Sequence, residues 1–158
     1  MTMFDQYEEI KNLMPLVPLL KQAHRASGIA EMEETLQEKL RSLQFPLLVA
    51  EDDGNGFFNL EVRNLDNAYY TIYIVGKPKL ADSASRKQTL LECRMAALQL
   101  FKQMKKKAVN FADPFYGADF SKIDYQQIGP IATGLHGYSF SYVLKDENFP
   151  LEAPSIEP

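Results

Sequence analysis

DSASRKQTLLECRMAALQLFKQMKKKA, residues 82–108, is the longest helical signal in the chain, and the segments that read as strands lie on either side of it. Asp82, Ser83 or Ser85 supplies a side-chain oxygen for the free backbone N–H groups at its start. Lys105, Lys106 and Lys107 fall in the last turns, where positive charge suits the helix dipole. Neither Pro nor Gly interrupts the run. At about 100° per residue, Leu90, Cys93, Ala97, Leu100, Phe101, Met104 and Ala108 share one face. Leu91, Met95 and Leu98 widen that face, and Glu92, Gln99, Gln103 and Lys106 lie opposite. So broad a stripe predicts a helix that roofs a sheet and is covered by more than one neighbour.

Strand signals flank it. FPLLVAE (45–51) is an apolar run entered through a proline and suits a buried strand. Asp52-Asp53-Gly54-Asn55-Gly56 has turn composition. Phe57–Arg63 reads as the return strand of a hairpin, with Phe58, Leu60 and Val62 alternating with Asn59, Glu61 and Arg63. YYTIYIV (69–75), β-branched and aromatic throughout, predicts a central strand. After the helix, residues 109–124 read as a loop pinned by Phe111, Phe115, Tyr116 and Phe120. YQQIGPIA (125–132) is extended, and Gly129-Pro130 marks a bulge or an edge. His136 sits in a Gly-flanked turn, and YSFSYVL (138–144) alternates as a half-buried strand should.

Before residue 45 the patterning is helical. Phe4, Tyr7, Ile10 and Met14 have helical spacing. Pro15 and Pro18 interrupt it, a second helical piece is expected over 18–26, and a clearer one over 31–43 carries Met32, Leu36, Leu40 and Leu43. The fold expected is α+β: a four- to five-stranded, mainly antiparallel sheet covered by the long amphipathic helix, with an N-terminal helical segment. The domain spans 1–148, with 1–44 as its helical part and 149–158 as an extended C-terminal tail. The 31–43 helix is expected near the long one. The expected core is Leu48, Leu60, Ile72, Ile74, Leu90, Ala97, Phe101, Phe140 and Tyr142.

Totals bound the classes. The chain of 158 residues has a net charge of −4, which disfavours a dedicated nucleic-acid binder. It carries ten Phe, eight Tyr and no Trp, and its one cysteine, Cys93, lies on the apolar helix face as an inert buried thiol. MTMFDQYEEIKNLM lacks a signal-peptide layout. The apolar run 13–20 is short and holds two prolines, so no membrane span is expected.

Chemistry is sparse. Glu51, Asp53, Asn55 and Gly56 imitate half of a calcium loop, but the twelfth position is Val62, and an acidic hairpin turn is the reading. His24 and His136 have no companion ligands at metal spacing, and no nucleophile elbow or phosphate loop occurs. Catalytic, cofactor-binding and metal residues are therefore none, and the chain does not read as an enzyme. The enzymatic alternative would place a site near His136 and the Asp52–Asp53 turn. Lys102, Lys105, Lys106 and Lys107 form a basic helix end, either solvated or a contact for phosphate or an acidic partner.

FPLLVAE at 45–51 and IGPIATGLHGYSFSYVL at 128–144, separated by the long helix and preceded by a helical N-terminus, form a layout over about residues 30–145. That layout resembles tailed-bacteriophage tail terminators and related neck or tail-completion proteins. The resemblance implies a virion structural protein, assembled in the host cytoplasm as a homo-oligomeric ring, typically a hexamer. Its partners would be tail tube and neck or connector proteins, with DNA passing through the ring without sequence-specific binding. It carries over no catalytic residue. The second reading is a small binding module that engages DNA or an acidic partner through the basic helix end. Candidate contact residues are Lys102, Lys105, Lys106 and Lys107, with Phe149, Leu151 and Ile156 of the proline-rich tail, which reads either as a segment lying across a neighbouring subunit or as a disordered chain end.

Overall fold

The computed structural model describes residues 4–52, 54–61 and 65–146. In chain order its elements are α1 (Gln6–Leu13), β1 (Gln22–Ala26), α2 (Ile29–Glu38), β2 (Leu47–Glu51), β3 (Asn55–Asn59), β4 (Leu65–Gly76), α3 (Ser83–Ala108), β5 (Ala118–Ile131) and β6 (Leu135–Asp146). Short 3₁₀ turns sit at Met14–Leu16 and Leu40–Ser42. The fold is α+β. A six-stranded mixed, mostly antiparallel sheet runs β1-β2-β4-β6-β5, with β3 also on β4. The tail, with Phe149, Leu151 and Ile156, lies outside the described residues.

The long helix forms where its pattern predicts. The Asp82 carboxylate accepts from the Ser85 backbone N–H at 3.0 Å, which caps the first turn. Cys93, Ala97, Leu100, Phe101 and Met104 are buried against β4, β5 and β6, while Leu90 is only partly covered. The expected second neighbour is present, since α1 and the 3₁₀ turn at 14–16 also pack on α3, but it does not cover the widened part of the stripe. Leu91, Met95 and Leu98 are 42%, 47% and 58% exposed. At 100° per residue they point away from the Cys93–Leu100 line, so a single flat sheet cannot reach them.

Strand β4 is the centre, antiparallel to β2 on one edge and to β6 on the other over Asp66↔Asp146 to Gly76↔His136. Its two faces build two cores. Ile72 and Ile74 join Leu48, Ala50, Phe140, Tyr142 and the buried faces of α1 and α3. Tyr73 and Val75 join Leu47, Val49 and the α2 residues Met32 and Leu36. Helix α2 therefore lies on the opposite side of the sheet from α3, not near it as expected. The continuous apolar run of β2, buried on both faces, is what demands the two layers.

Two further expectations are corrected. Residues 18–26 do not form a second helix: β1 pairs in parallel with β2, Gln22↔Leu47 through Ala26↔Glu51, and α2 makes the crossover. The open edge of β2 recruits a segment, QAHRA, that has little strand propensity of its own, so tertiary pairing overrides local preference. Nor do β2 and β3 form a hairpin. Both pair with the same edge of β4, β2 ending at Ala50↔Ile72 and β3 beginning at Asn55↔Tyr69, so β3 runs on in the direction of β2 and the paired edge steps by a jog between Glu51 and Asn55 instead of reversing. The jog carries β3 past the helices. Leu60, expected in the core, is 69% exposed, and every residue of β3 is exposed. At the far edge, β5 starts at Ala118, earlier than expected, and its register slips between Ile128 and Ile131. Gly129 takes φ +123 within that bulge, a conformation costly for any residue with a Cβ.

Candidate functional site

The most constrained polar group belongs to a residue that patterning did not single out. Gln6, at the start of α1, is only 2% exposed. Its Nε2 donates to the Glu51 and Thr71 carbonyls, each at 3.1 Å, and its Oε1 accepts from the Tyr142 hydroxyl at 2.9 Å. Those carbonyls lie where the ladder is broken between Ala50↔Ile72 and Asn55↔Tyr69. The amide thus stands in for a missing ladder pair and ties α1 to β2, β4 and β6 at once. Burial pushes the Tyr142 hydroxyl well above its ordinary pKa, so it stays a neutral donor. Nearby, the Arg25 guanidinium contacts Asp5 at 3.1 Å and Glu8 and Asp52 at 3.4 Å, and covers the Tyr7 ring. This half-exposed cluster clamps α1 and β1 to the jog, with modest energetic weight.

The sequence candidates for chemistry do not converge. Glu51 ends β2 and its carboxylate accepts from the Tyr73 hydroxyl, while Asn55 opens β3, and Asp53 lies outside the described residues. Among the described residues no group of three or more His, Cys, Asp or Glu side chains gathers to hold a metal. His24 lies on β1 with Nε2 at 3.2 Å from the Gln22 amide oxygen. His136 is not in a solvated turn as expected. It is the second residue of β6, paired with Gly76, and its Nδ1 is buried without a hydrogen-bond partner among the described residues. Burial lowers the pKa of both rings, with Lys39 adding to the effect at His24 and Arg86 at His136. The enzymatic alternative required His136 near the Asp52 turn. The register places His136 opposite Gly76 and Asp52 beyond the Ala50↔Ile72 pair, roughly 20 Å apart along the strands. Cys93 is buried and its thiol is pushed up to about 12 by that burial, which makes it inert as expected.

Surface features are more pronounced. Phe57, Phe58, Leu60 and Tyr69 are 51%, 61%, 69% and 42% exposed on the arm formed by β3 and the start of β4. The α3 ridge of Leu91, Met95 and Leu98 is a second apolar patch, on the outer face of the helix layer. The lysine cluster divides. Lys107 pairs with Asp113 at 3.4 Å. Lys102, Lys105 and Lys106 instead edge an open groove of about 710 Å³ between α3 and the 3₁₀ turn at 14–16. No helix among the described residues is long and apolar enough to cross a membrane.

Comparison with models of known protein families finds no match to the chain, and comparison with curated proteins finds none. The functional reading rests on surface geometry and on the layout described above.

Proposed function

We propose that the protein is a virion structural subunit without catalytic work, a tail-terminator or neck ring component that joins tail tube to head through protein–protein contacts. One observation carries this reading: a single subunit exposes two unlike sets of apolar side chains, those of the β3–β4 edge, with Phe57 beside Tyr69 on one face and Phe58 on the other, and the Leu91–Met95–Leu98 ridge of α3. Exposed apolar clusters mark contact surfaces. Two unlike patches meeting between copies form a heterologous contact, which closes into a ring when the rotation allows. The layout resembling tail terminators supports the choice of a tail ring over other assemblies.

Light scattering and electron microscopy of the protein, alone and mixed with tail-tube protein, test the proposal. Rings, free or on the tube end, are expected. Met95→Glu on the ridge and Phe57→Ser on the arm should each weaken association while thermal stability stays unchanged. A strict monomer without affinity for tube or neck protein overturns the reading.

A further inference from the structure

Two surfaces of the protein carry opposite and uncompensated charge. The groove beside α3 has an apolar floor of Leu16, Pro18 and Val109 under a rim of Lys102, Lys105 and Lys106, and no carboxylate lines it. On the opposite side of the sheet, α2 carries Glu31, Glu33, Glu34 and Glu38 and no Lys or Arg. Glu33, Glu34, Gln37 and Glu38 line an open cleft of about 500 Å³ against Ala132 in the β5–β6 turn. Among the described residues none of these lysines or glutamates forms an ion pair. Other acids do find partners: Asp5, Glu8 and Asp52 contact Arg25, and Asp113 contacts Lys107.

Each face also works against its own helix. Lys102 precedes Lys105 and Lys106 by one turn, and Glu34 stands one turn after Glu31 and one turn before Glu38. Like charges at such spacings repel and weaken the helix that carries them, so each face gains when an opposite one covers it. The faces match in length: the ten residues of α2 rise about 15 Å, as α3 does from Gln99 to Val109. Glu34 and Glu38 have the same offset along α2 as Lys102 and Lys106 have along α3. Ile29, 48% exposed one turn before Glu33, supplies an apolar side chain for the groove floor. Within one chain the two faces cannot meet, because the sheet lies between them. A two-fold pairing of like faces would set lysine against lysine and glutamate against glutamate. Only a head-to-tail contact between copies joins the unlike faces.

We propose that α2 of one copy docks along the α3 groove of the next, with Glu33, Glu34 and Glu38 against Lys102, Lys105 and Lys106 and Ile29 over the apolar floor. The contact is heterologous, so every copy keeps one face of each kind for a further copy, and association runs past a pair until rotation closes it. The charges set the register and reject the symmetric pairing of like faces. This inference deepens the ring reading and rests on its premise that copies associate, but not on the assignment to a tail or neck.

Sedimentation velocity over a concentration series tests it on the full chain. The wild type should form assemblies larger than a dimer, and its dissociation constant should rise about tenfold between about 50 mM and about 500 mM salt, because the charges are exposed. The variant Lys102→Glu, Lys105→Glu, Lys106→Glu and the variant Glu33→Lys, Glu34→Lys, Glu38→Lys should each stay monomeric where the wild type associates. Mixed in equal amounts they should associate again, since each reversed face then meets a reversed partner, and such recovery also shows that both are folded. The single exchanges Lys105→Glu and Glu34→Lys repeat the test with less disturbance of either helix. A wild type that is monomeric at every concentration overturns the proposal, as does a mixture that stays monomeric while both variants melt like the wild type. Association that ignores both reversals but is lost in Met95→Glu or Phe57→Ser overturns this contact and leaves the ring reading standing. Recovery on mixing in a protein without affinity for tube or neck protein upholds the contact and removes the tail assignment.

Discussion

Gln6→Leu removes the amide that bridges the broken ladder while keeping a side chain of similar size. In the native fold the amide satisfies two carbonyls and one hydroxyl in a site that is 2% exposed. The Tyr142 hydroxyl, on a side chain 1% exposed, would lose the acceptor given by Gln6. Stranding one buried hydroxyl costs about 1–3 kcal/mol, and each lost carbonyl bond about 0.5–1.5 kcal/mol. The gain from a buried leucine offsets part of this, leaving a net loss of about 2–4 kcal/mol. For a chain of this size the melting temperature should fall by about 5–12 °C. Denaturant titration reads the free energy directly. The double variant with Tyr142→Phe separates causes, because it deletes the stranded hydroxyl. It should be more stable than the sum of the single variants predicts, by about 0.5–2 kcal/mol. A loss below about 1 kcal/mol for Gln6→Leu, with additive behaviour in the double variant, would falsify the bridging role.

Phe101 is 5% exposed and its ring lies about 6 Å from those of Phe120, Phe140 and Tyr142, so Phe101→Ala should cost about 3–5 kcal/mol. A denaturant midpoint shift equivalent to less than about 1 kcal/mol contradicts its place in the core. Stability should also fall on mild acidification. Burial holds the folded pKa of His24 and His136 below the ordinary value of about 6.5, so above it both rings are neutral whether folded or not. As the pH drops below that value the unfolded chain takes up protons first, and stability declines until the folded pKa values are reached. His136→Gln should flatten this decline in denaturation curves taken between pH about 7 and about 5.5, and an unchanged slope excludes His136 as a contributor.

Much of this fold is legible in the chain. The 83–108 helix announces itself through a cap, a basic end and an uninterrupted apolar stripe, which are local properties of local residues. The central strand at 69–75 and the bulge at Gly129-Pro130 are equally local, one from β-branched and aromatic density, the other from residues that cannot continue a regular ladder. The lysine cluster is visible as a cluster, but its division between Asp113 and a groove depends on what packs beside α3. Residues 22–26 become a strand only because β2 offers a free edge, and their own propensities argue otherwise. The step between the β2 and β3 pairings on β4 turns an apparent hairpin into a stepped edge and takes Leu60 from the core to solvent, a choice made by how much of β4 remains unpaired. Gln6 looks like a solvent-facing residue in a helical pattern. It becomes the most constrained polar side chain because three elements distant in sequence leave two carbonyls and a hydroxyl facing one point. Sequence alone determines the elements whose stability is settled within a few turns or a few residues. Tertiary structure decides pairing partners, the faces that helices cover and the surfaces left bare, because those depend on distant backbone groups that must find hydrogen bonds.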